Sequence, residues 1–154
     1  DVVMVSAAIR DEGTTPYYLP IEFPAVADIE VVNALREAAK RLGYKSHTGI
    51  SQSKDSFYGE VERARMPMPA RLAERWNAFI TGGAACSEME SSALFILSSI
   101  YRKRAGGVML VINESDLAEV DEDNPAKHMA EFDADRVIKV AVEALKILIQ
   151  SDRR

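Results

Sequence analysis

The chain has 154 residues, of which 47% are hydrophobic and 28% charged, with a formal net charge of -5. This length predicts one domain, residues 1–154, with a hydrophobic core of its own. The acidic balance argues against a nucleic-acid surface, because such a surface needs basic side chains without matching acids. A single cysteine, Cys86, favours the cytoplasm, and no apolar run is long enough to span a membrane.

The first part of the chain predicts a strand, a polar loop and a helix. Residues 2–9 form a continuous apolar run of strand length, and residues 10–16 hold charged and turn-forming side chains that end it. Asp28 is a suitable N-cap for an amphipathic helix, and Gly43 occupies the position that a left-handed C-cap requires. We therefore expect this helix to lie on the surface with one apolar face buried.

Two further strand and helix pairs follow. Residues 47–53 alternate in polarity like a strand, and residues 70–80 have the apolar spacing of a helix. A short strand is predicted over residues 84–89. Residues 90–101 are apolar nearly all round, which predicts a helix buried on several sides.

The last third predicts a strand over residues 106–112, an acidic loop over residues 113–124 and a long terminal helix. The side chains expected to face inward from that helix are Val137, Ile138, Ala141, Leu145, Leu148 and Ile149. Alternating strands and helices predict an α/β layered fold with a largely parallel sheet. Ligands bind at the carboxyl ends of parallel strands, so residues 10–15, 55–65, 88–90 and 113–116 are expected on one rim.

The acid pair Glu88 and Glu90 is the first candidate site, and its spacing leaves two interpretations open. On a strand or extended turn, residues two apart point the same way, so both carboxylates would address a polyhydroxylated ligand. Alternatively, the pair is a solvated acidic turn with one carboxylate that caps the following helix. The spacing alone does not choose between them.

An aromatic pair, Phe57 and Tyr58, forms the second candidate site. Such pairs are more often part of a core, but with Arg63 and Arg65 close behind they could stack on a planar base and donate hydrogen bonds to it. The histidines have no partners at metal-ligand spacing, so no metal site is expected. Cys86 has no histidine near it in sequence and is interpreted as a small buried hydrophobe.

Four segments together resemble the nucleoside phosphorylases of the uridine phosphorylase type. They are Ser-Glu-Met-Glu-Ser at residues 87–91, Asp-Ser-Phe-Tyr-Gly at 55–59, and the segments at residues 8–14 and 22–28. Their order and spacing match over essentially the whole chain. The resemblance implies a three-layer α/β sandwich with a central mixed, mostly parallel sheet and a hexamer built from dimers. It also implies cleavage of a nucleoside by inorganic phosphate, without a cofactor, into free base and ribose 1-phosphate.

The resemblance also implies roles for individual side chains. Glu90 would bind the ribose 2′ and 3′ hydroxyls, Met89 would pack on the sugar, and Glu88 would line the same pocket. Phe57, with Tyr58 beside it, would lie against the base. Either Arg63 or Arg65 would read the base edge, and Arg63 could stabilise the negative charge that develops on the departing base. The catalytic residues implied are thus Arg63 and Glu90.

Base specificity stays open because the chain departs from the family pattern. The family has a glutamine where this chain offers Glu60 or Val61, and a carboxylate only accepts hydrogen bonds whereas an amide also donates them. Val111 and Ile112 match the apolar residues that cover a pyrimidine. Asp116, however, lies in the loop where purine-cleaving relatives use an aspartate to protonate the base. Uridine is the favoured substrate, with a purine nucleoside as the alternative.

The phosphate site is expected upstream of Asp1. The family builds it from a Gly-Asp-Pro loop, several arginines and a histidine of the neighbouring subunit, so this chain would be the C-terminal three-fifths of the enzyme. Activity is then expected to require the upstream segment. Two other functions stay open: a nucleoside-binding module without turnover, and a hydrolase-like relative that uses water.

Overall fold

The fold is organised around a five-stranded mixed sheet, and a computed structural model describes residues 1–112 and 133–153. The strands are β1 (Val2–Asp11), β2 (Ala25–Val26), β3 (Ser46–Lys54), β4 (Ala84–Glu88) and β5 (Gly107–Leu110). Their order is β2-β1-β3-β4, and β5 also pairs with β1. β1, β3 and β4 run parallel, whereas β2 and β5 run antiparallel to β1. The predicted central mixed sheet is confirmed.

Helices cover both faces of this sheet. They are α1 (Ile29–Arg41), α2 (Tyr58–Val61), α3 (Pro69–Thr81), α4 (Ser91–Ile100) and α5 (Asp135–Asp152), with short 3-10 turns at Thr15–Tyr17 and Arg63–Arg65. α1 and α5 pack over Val2 and Met4 on one face, and α4 packs over Val5 and Ala8 on the other. The three-layer α/β arrangement is therefore confirmed. Among the described residues, no helix combines the length and apolar character needed to cross a bilayer.

Both predicted ends of α1 are confirmed. The Asp28 carboxylate accepts hydrogen bonds from the N–H groups of Glu30 (2.9 Å) and Val31 (3.1 Å), which otherwise have no partner in the first helical turn. After the helix, Gly43 adopts φ +70°, a conformation that side chains disfavour. Sequence signals at both ends thus fix this helix locally.

Two β-bulges interrupt the parallel ladders. Val5 pairs with Gly49 and Ala7 with Ile50, so Ser6 is an extra residue in β1. Between β3 and β4, Ile50 pairs with Ala84 and Ser51 with Cys86, so Ala85 is an extra residue in β4. A Cβ on Gly49 would lie 2.4 Å from the Ala85 Cβ, so glycine is required where the bulged strand approaches β3.

The loop predicted over residues 10–16 begins later than expected. Arg10 and Asp11 extend β1 because they pair with Ser53 and Lys54 of β3. The Arg10 guanidinium then donates to the carbonyls of Leu19, Pro20 and Phe23, which holds the following loop against the end of the strand. The charged side chains at these positions interrupt the apolar sequence pattern, but the backbone pairing of β1 with β3 continues through them.

The predicted buried faces of the last two helices are too wide. On α4, Phe95 and Ile96 are buried, but Leu94 and Ile100 are exposed because this helix packs on the sheet with one side only. On α5, the buried residues are Val140 and Ala144. Of the six expected inward side chains, three are exposed: Ile138, Leu145 and Ile149. The prediction was wrong for these three residues. Apolar side chains occupy a wider part of the helix surface than the part that contacts α1 and β5.

Candidate functional site

The parallel strands β1, β3 and β4 end at one rim, and alternation along them sorts their side chains onto two faces. We call the side covered by α4 the serine face; it carries Ser51, Ser53 and Glu88. We call the opposite side the cavity face; it carries Asp11, Gln52, Lys54 and Ser87. The rim expected from the sequence therefore exists, but its polar residues form two separate groups.

On the serine face, the Glu88 carboxylate is saturated by protein hydrogen bonds. One oxygen accepts from the hydroxyls of Ser51 (2.9 Å) and Ser53 (2.5 Å), and the other accepts from the N–H groups of Glu90 and Ser91 (2.7 Å each). The Ser53 hydroxyl also accepts from the Ser92 N–H at 2.9 Å. Glu88 thus fastens the first turn of α4 to β3, which favours the capping interpretation for this residue.

Glu90 differs from Glu88 although it is only two residues away. It precedes α4 with φ -130° and ψ -26°, its side chain is exposed, and its carboxylate has no hydrogen bond or ion pair within the described parts of the chain. Met89 beside it is 39% exposed. The two carboxylates do not point the same way, because Glu88 turns back to satisfy the helix amides while Glu90 stays available to a ligand.

The cavity face opens into a cavity of about 340 Å³ between the ends of the strands, α2 and α3. Polar residues lining it include Asp11, Lys54, Glu60, Arg63 and Arg75, with Trp76 among the apolar ones. Arg63 lines this cavity and Arg65 does not; Arg65 instead pairs with Glu62 at the surface. Of the two arginines predicted to read a base, the structure brings Arg63 to the cavity.

An ion pair between Lys54 and Glu60 forms one wall of the cavity. The Lys54 Nζ lies 2.5 Å from a Glu60 oxygen, and the two side chains are only 11% and 14% exposed. The Ser87 hydroxyl lies 2.8 Å from the Lys54 Nζ and 2.7 Å from the same Glu60 oxygen. Glu60 is therefore held as a fixed acceptor at the position where the sequence left base recognition open.

The polar network continues from this pair towards β1. The Ser87 hydroxyl lies 2.9 Å from the Gln52 amide oxygen, and the Gln52 amide nitrogen donates to Asp11 at 2.6 Å. Asp11 in turn pairs with Arg75 of α3. The chain of contacts ties three strands and α3 together, which restricts the positions that Lys54 and Glu60 can adopt.

The aromatic pair lies in the chain between Ser56 and Gly59, which line the cavity, and it is not part of a core. Phe57 and Tyr58 are 43% and 58% exposed, and their rings meet edge to face with centroids 5.5 Å apart. The Lys54 Nζ lies 5.9 Å from the centre of the Phe57 ring. An exposed ring beside a polar cavity can provide an apolar surface for a planar ligand.

Comparison with known proteins decides the family. The family model described as the Phosphorylase superfamily matches residues 1–151. The chain belongs to this superfamily. It is 44% identical to a uridine phosphorylase of Treponema pallidum and 36% identical to one of Thermococcus kodakarensis, over 98% and 99% of this chain respectively. A guanosine phosphorylase of Halorubrum lacusprofundi is 28% identical over 96% of it.

The chain spans 57%, 52% and 58% of the length of these three relatives, respectively. The match to the superfamily nevertheless extends over nearly all of its residues. The sequence resemblance to nucleoside phosphorylases of the uridine phosphorylase type is thereby confirmed.

The direction of β5 differs from that of the strands that form the rim. β5 is antiparallel to β1, so its carboxyl end lies at the amino end of β1, where the Val111 N–H donates to the Asp1 carbonyl. Glu88 pairs with a residue of β3 that in turn pairs with Arg10 of β1. Arg10 lies about nine residues, or about 30 Å, from Asp1 along the strand. The base-covering role of Val111 and Ile112 stays a prediction from the resemblance, and residues 113–116, which were expected on the rim and include Asp116, lie outside the described residues.

Cys86 agrees with its interpretation as a small buried hydrophobe. Its side chain packs beside the cluster that includes Val5 and Phe95. Burial raises the pKa of the Cys86 thiol to about 11, and the nearby Glu88 charge adds to this effect. The thiol is therefore protonated at neutral pH and is a poor nucleophile.

Sequence reasoning missed four residues of the cavity network: Gln52, Lys54, Arg75 and Ser87. Gln52 and Lys54 are two apart on β3 and so share a face, and this spacing could have grouped them. Their link to Glu60 could not be found in the same way, because α2 folds back over the strand end. For this superfamily member, the cavity is therefore better defined by structure than by motif.

Proposed function

We propose that this chain provides the ribose and base subsites of a nucleoside phosphorylase, with uridine as the favoured nucleoside and inorganic phosphate as co-substrate. No cofactor takes part. The names of the two uridine phosphorylase relatives support this proposal. The structural observation that carries it is the contrast at α4, where Glu88 is saturated and the exposed Glu90 carboxylate has no partner among the described residues.

In this proposal Glu90 accepts hydrogen bonds from the ribose 2′ and 3′ hydroxyls, and Met89 packs against the sugar. Glu88 contributes indirectly, by fixing the backbone from which Glu90 projects. Phe57, with Tyr58 at its edge, lies against the base. Such positioning groups raise the rate by holding the sugar in a reactive orientation.

The reaction breaks the bond between ribose C1′ and the base nitrogen. The base leaves with the bonding electrons and gains a proton, while a phosphate oxygen forms the new bond to C1′. Arg63 lines the cavity, and its cationic side chain would stabilise the negative charge on the departing base. Arg65, Val111, Ile112 and Asp116 keep their base-binding roles only as predictions from the resemblance.

Replacement of Glu90 tests the ribose subsite. In the intact protein, we expect Glu90→Ala to lower kcat/KM for uridine phosphorolysis by about 100-fold, because a charged acceptor of two hydroxyl donors is lost. Ribose 1-phosphate and uracil are measured as products. The matched control is Glu37→Ala, which removes an exposed carboxylate paired with Arg41 and should leave kcat/KM unchanged.

Other outcomes would replace the proposal. Absence of phosphate-dependent cleavage of uridine, inosine and adenosine would exclude nucleoside phosphorolysis. Release of ribose instead of ribose 1-phosphate would indicate a hydrolase. Nucleoside binding without any product would indicate a binding module that has lost turnover.

A purine nucleoside is the second candidate substrate. The guanosine phosphorylase relative favours it, since that protein matches 96% of this chain despite its 28% identity. Comparison of kcat/KM for uridine, inosine and guanosine decides between the two. A preference for either purine of tenfold or more would overturn the uridine assignment.

We further propose that the intact protein assembles in the cytoplasm as a hexamer built from dimers. The exposed apolar side chains of α5, including Ile138, Leu145 and Ile149, are compatible with subunit contacts. Light scattering measures the mass, and a monomer at micromolar concentration would contradict the assembly.

A further inference from the structure

The ion pair of Lys54 and Glu60 has unused hydrogen-bonding capacity beside the cavity. An ammonium group has three N–H donors, and the Lys54 Nζ uses two of them on Glu60 and Ser87. One Glu60 oxygen accepts from both partners, and the other has no hydrogen bond within the described parts of the chain. One donor and one acceptor therefore remain on adjacent groups that both line the cavity.

The surrounding contacts fix the relative positions of this donor and this acceptor. The Ser87 hydroxyl touches both members of the pair, and Gln52 and Asp11 extend the network to β1. Both side chains of the pair are mostly buried, so bulk water does not separate them. Preorganised polar groups of this kind bind a complementary edge without first losing side-chain freedom.

We propose that Lys54 and Glu60 together read the edge of the nucleobase: Lys54 donates to a carbonyl oxygen, and Glu60 accepts from the adjacent ring N–H. This inference rests on the proposed function and extends it to the class of base. It assigns to two charged residues the donor and acceptor that a single glutamine amide would supply. The sequence alone offered only Glu60, which cannot donate.

The neighbouring groups of the cavity suit this role. The Phe57 ring lies 5.9 Å from the Lys54 Nζ, so a base that rests against the ring lies within reach of the ammonium. Arg63 lines the same cavity, so its cationic side chain borders the space that the base would occupy. The volume of about 340 Å³ is within the range of small-molecule pockets.

The proposal defines a chemical class of substrate. Uracil, hypoxanthine and guanine each carry a carbonyl next to a ring N–H, whereas cytosine and adenine carry an amino group next to an unprotonated ring nitrogen. The order of donor and acceptor is reversed in the second group. The pair therefore selects the carbonyl and N–H edge, and a pyrimidine or a purine ring can carry it.

The test compares two double variants that both remove the ion pair. Lys54→Met/Glu60→Leu replaces it with apolar side chains, whereas Lys54→Met/Glu60→Gln replaces it with a neutral amide that both donates and accepts. Neither leaves an unpaired buried charge, so both are expected to fold. Lys45→Met is the matched control, because Lys45 pairs with Asp1 at 3.0 Å at the other end of the sheet.

The readout is the preference for uridine over N3-methyluridine, which lacks the ring N–H. It is measured in the intact protein as the ratio of dissociation constants by calorimetry and, with phosphate, as the ratio of kcat/KM values. We expect a preference of about 100-fold in the unaltered protein and in Lys45→Met. It should fall below about tenfold in Lys54→Met/Glu60→Leu and remain close to the original in Lys54→Met/Glu60→Gln.

Equal preferences in the two double variants, with unchanged melting temperatures, would show that the pair is only structural and would overturn the inference. So would an unaltered protein that binds both nucleosides equally. Failure of the proposed function is a different result, since it is the absence of turnover in the unaltered protein. The dissociation constants test the base edge in that case too.

Discussion

Two half-buried carboxylates, Glu88 on the serine face and Glu60 beside the cavity face, differ in how many of their oxygen atoms accept hydrogen bonds from the protein. On the serine face, Glu88 gives both oxygens to two serines and two helix amides. On the cavity face, Glu60 gives one oxygen to Lys54 and Ser87 and keeps the other beside a cavity. The first carboxylate serves the fold and the second is available for binding, although one ends β4 and the other lies on α2, directly after the neighbouring strand β3.

The comparison shows how to separate structural from functional acids. Burial alone does not distinguish them, because both side chains are mostly removed from water. Structural and functional carboxylates are distinguished by the number of hydrogen bonds that their oxygen atoms could still accept, and by whether there is space for a ligand beside them. By this criterion Glu90 and Glu60 are functional candidates, and Glu88 is a structural support for Glu90.

The largest effect on stability is expected from Glu88→Ala. This change removes the cap of α4 and leaves Ser51 and Ser53 without their acceptor, so the free energy of unfolding should fall by about 2–4 kcal/mol. Urea denaturation at pH 7 measures it. Glu90→Ala is the matched control and should change stability by less than about 0.5 kcal/mol, because its side chain is exposed. Equal losses in the two variants would remove the distinction between them.

A smaller, pH-dependent effect is expected at Glu12, a second saturated carboxylate. It accepts from the N–H groups of Thr14 (2.7 Å) and Thr15 (2.8 Å) and from the Thr15 hydroxyl. Partial burial acts to raise the pKa of Glu12, but these hydrogen bonds outweigh it and hold the pKa below its ordinary value of 4.5. The charged form is therefore favoured in the folded state, and its contribution is present above pH 4.5.

Glu12→Gln should thus lower the free energy of unfolding by about 1 kcal/mol at pH 7. The difference from the unaltered protein should shrink as the pH falls through 4.5 and then through the lower folded-state pKa, where the native carboxylate is protonated as well. Denaturation series at pH 7, 5 and 3 provide the measurement. A difference that grows in acid would contradict the assigned sign.

Much of the fold follows from local signals in the sequence. The Asp28 cap and the Gly43 stop define α1, and the strand of residues 2–9 was placed correctly because its apolar run is uninterrupted. The direction of the last strand could not be obtained in this way. A short apolar run has the same pattern in parallel and antiparallel pairing, so the residues of β5 could not show that this strand runs antiparallel to β1.

The site was only partly predictable. The segment of residues 87–91 identified the acid pair, but spacing could not show that Glu88 turns towards the helix amides and leaves Glu90 alone. Lys54 was missed because its partner Glu60 reaches it through a change of chain direction after β3. Interactions that depend on two elements meeting in space leave no periodic signal in the chain.

The bulge at Ala85 determines on which face of the sheet each later side chain of β4 lies. Because side chains alternate with a period of two, regular pairing of Ala85 with Ser51 in place of the bulge would move every later side chain of the strand to the opposite face. Glu88 would then point at Lys54, and Ser87 would meet the first turn of α4. A single extra alanine, admitted by the missing side chain of Gly49, thus determines which acid supports the helix and leaves the ammonium to its partner on α2.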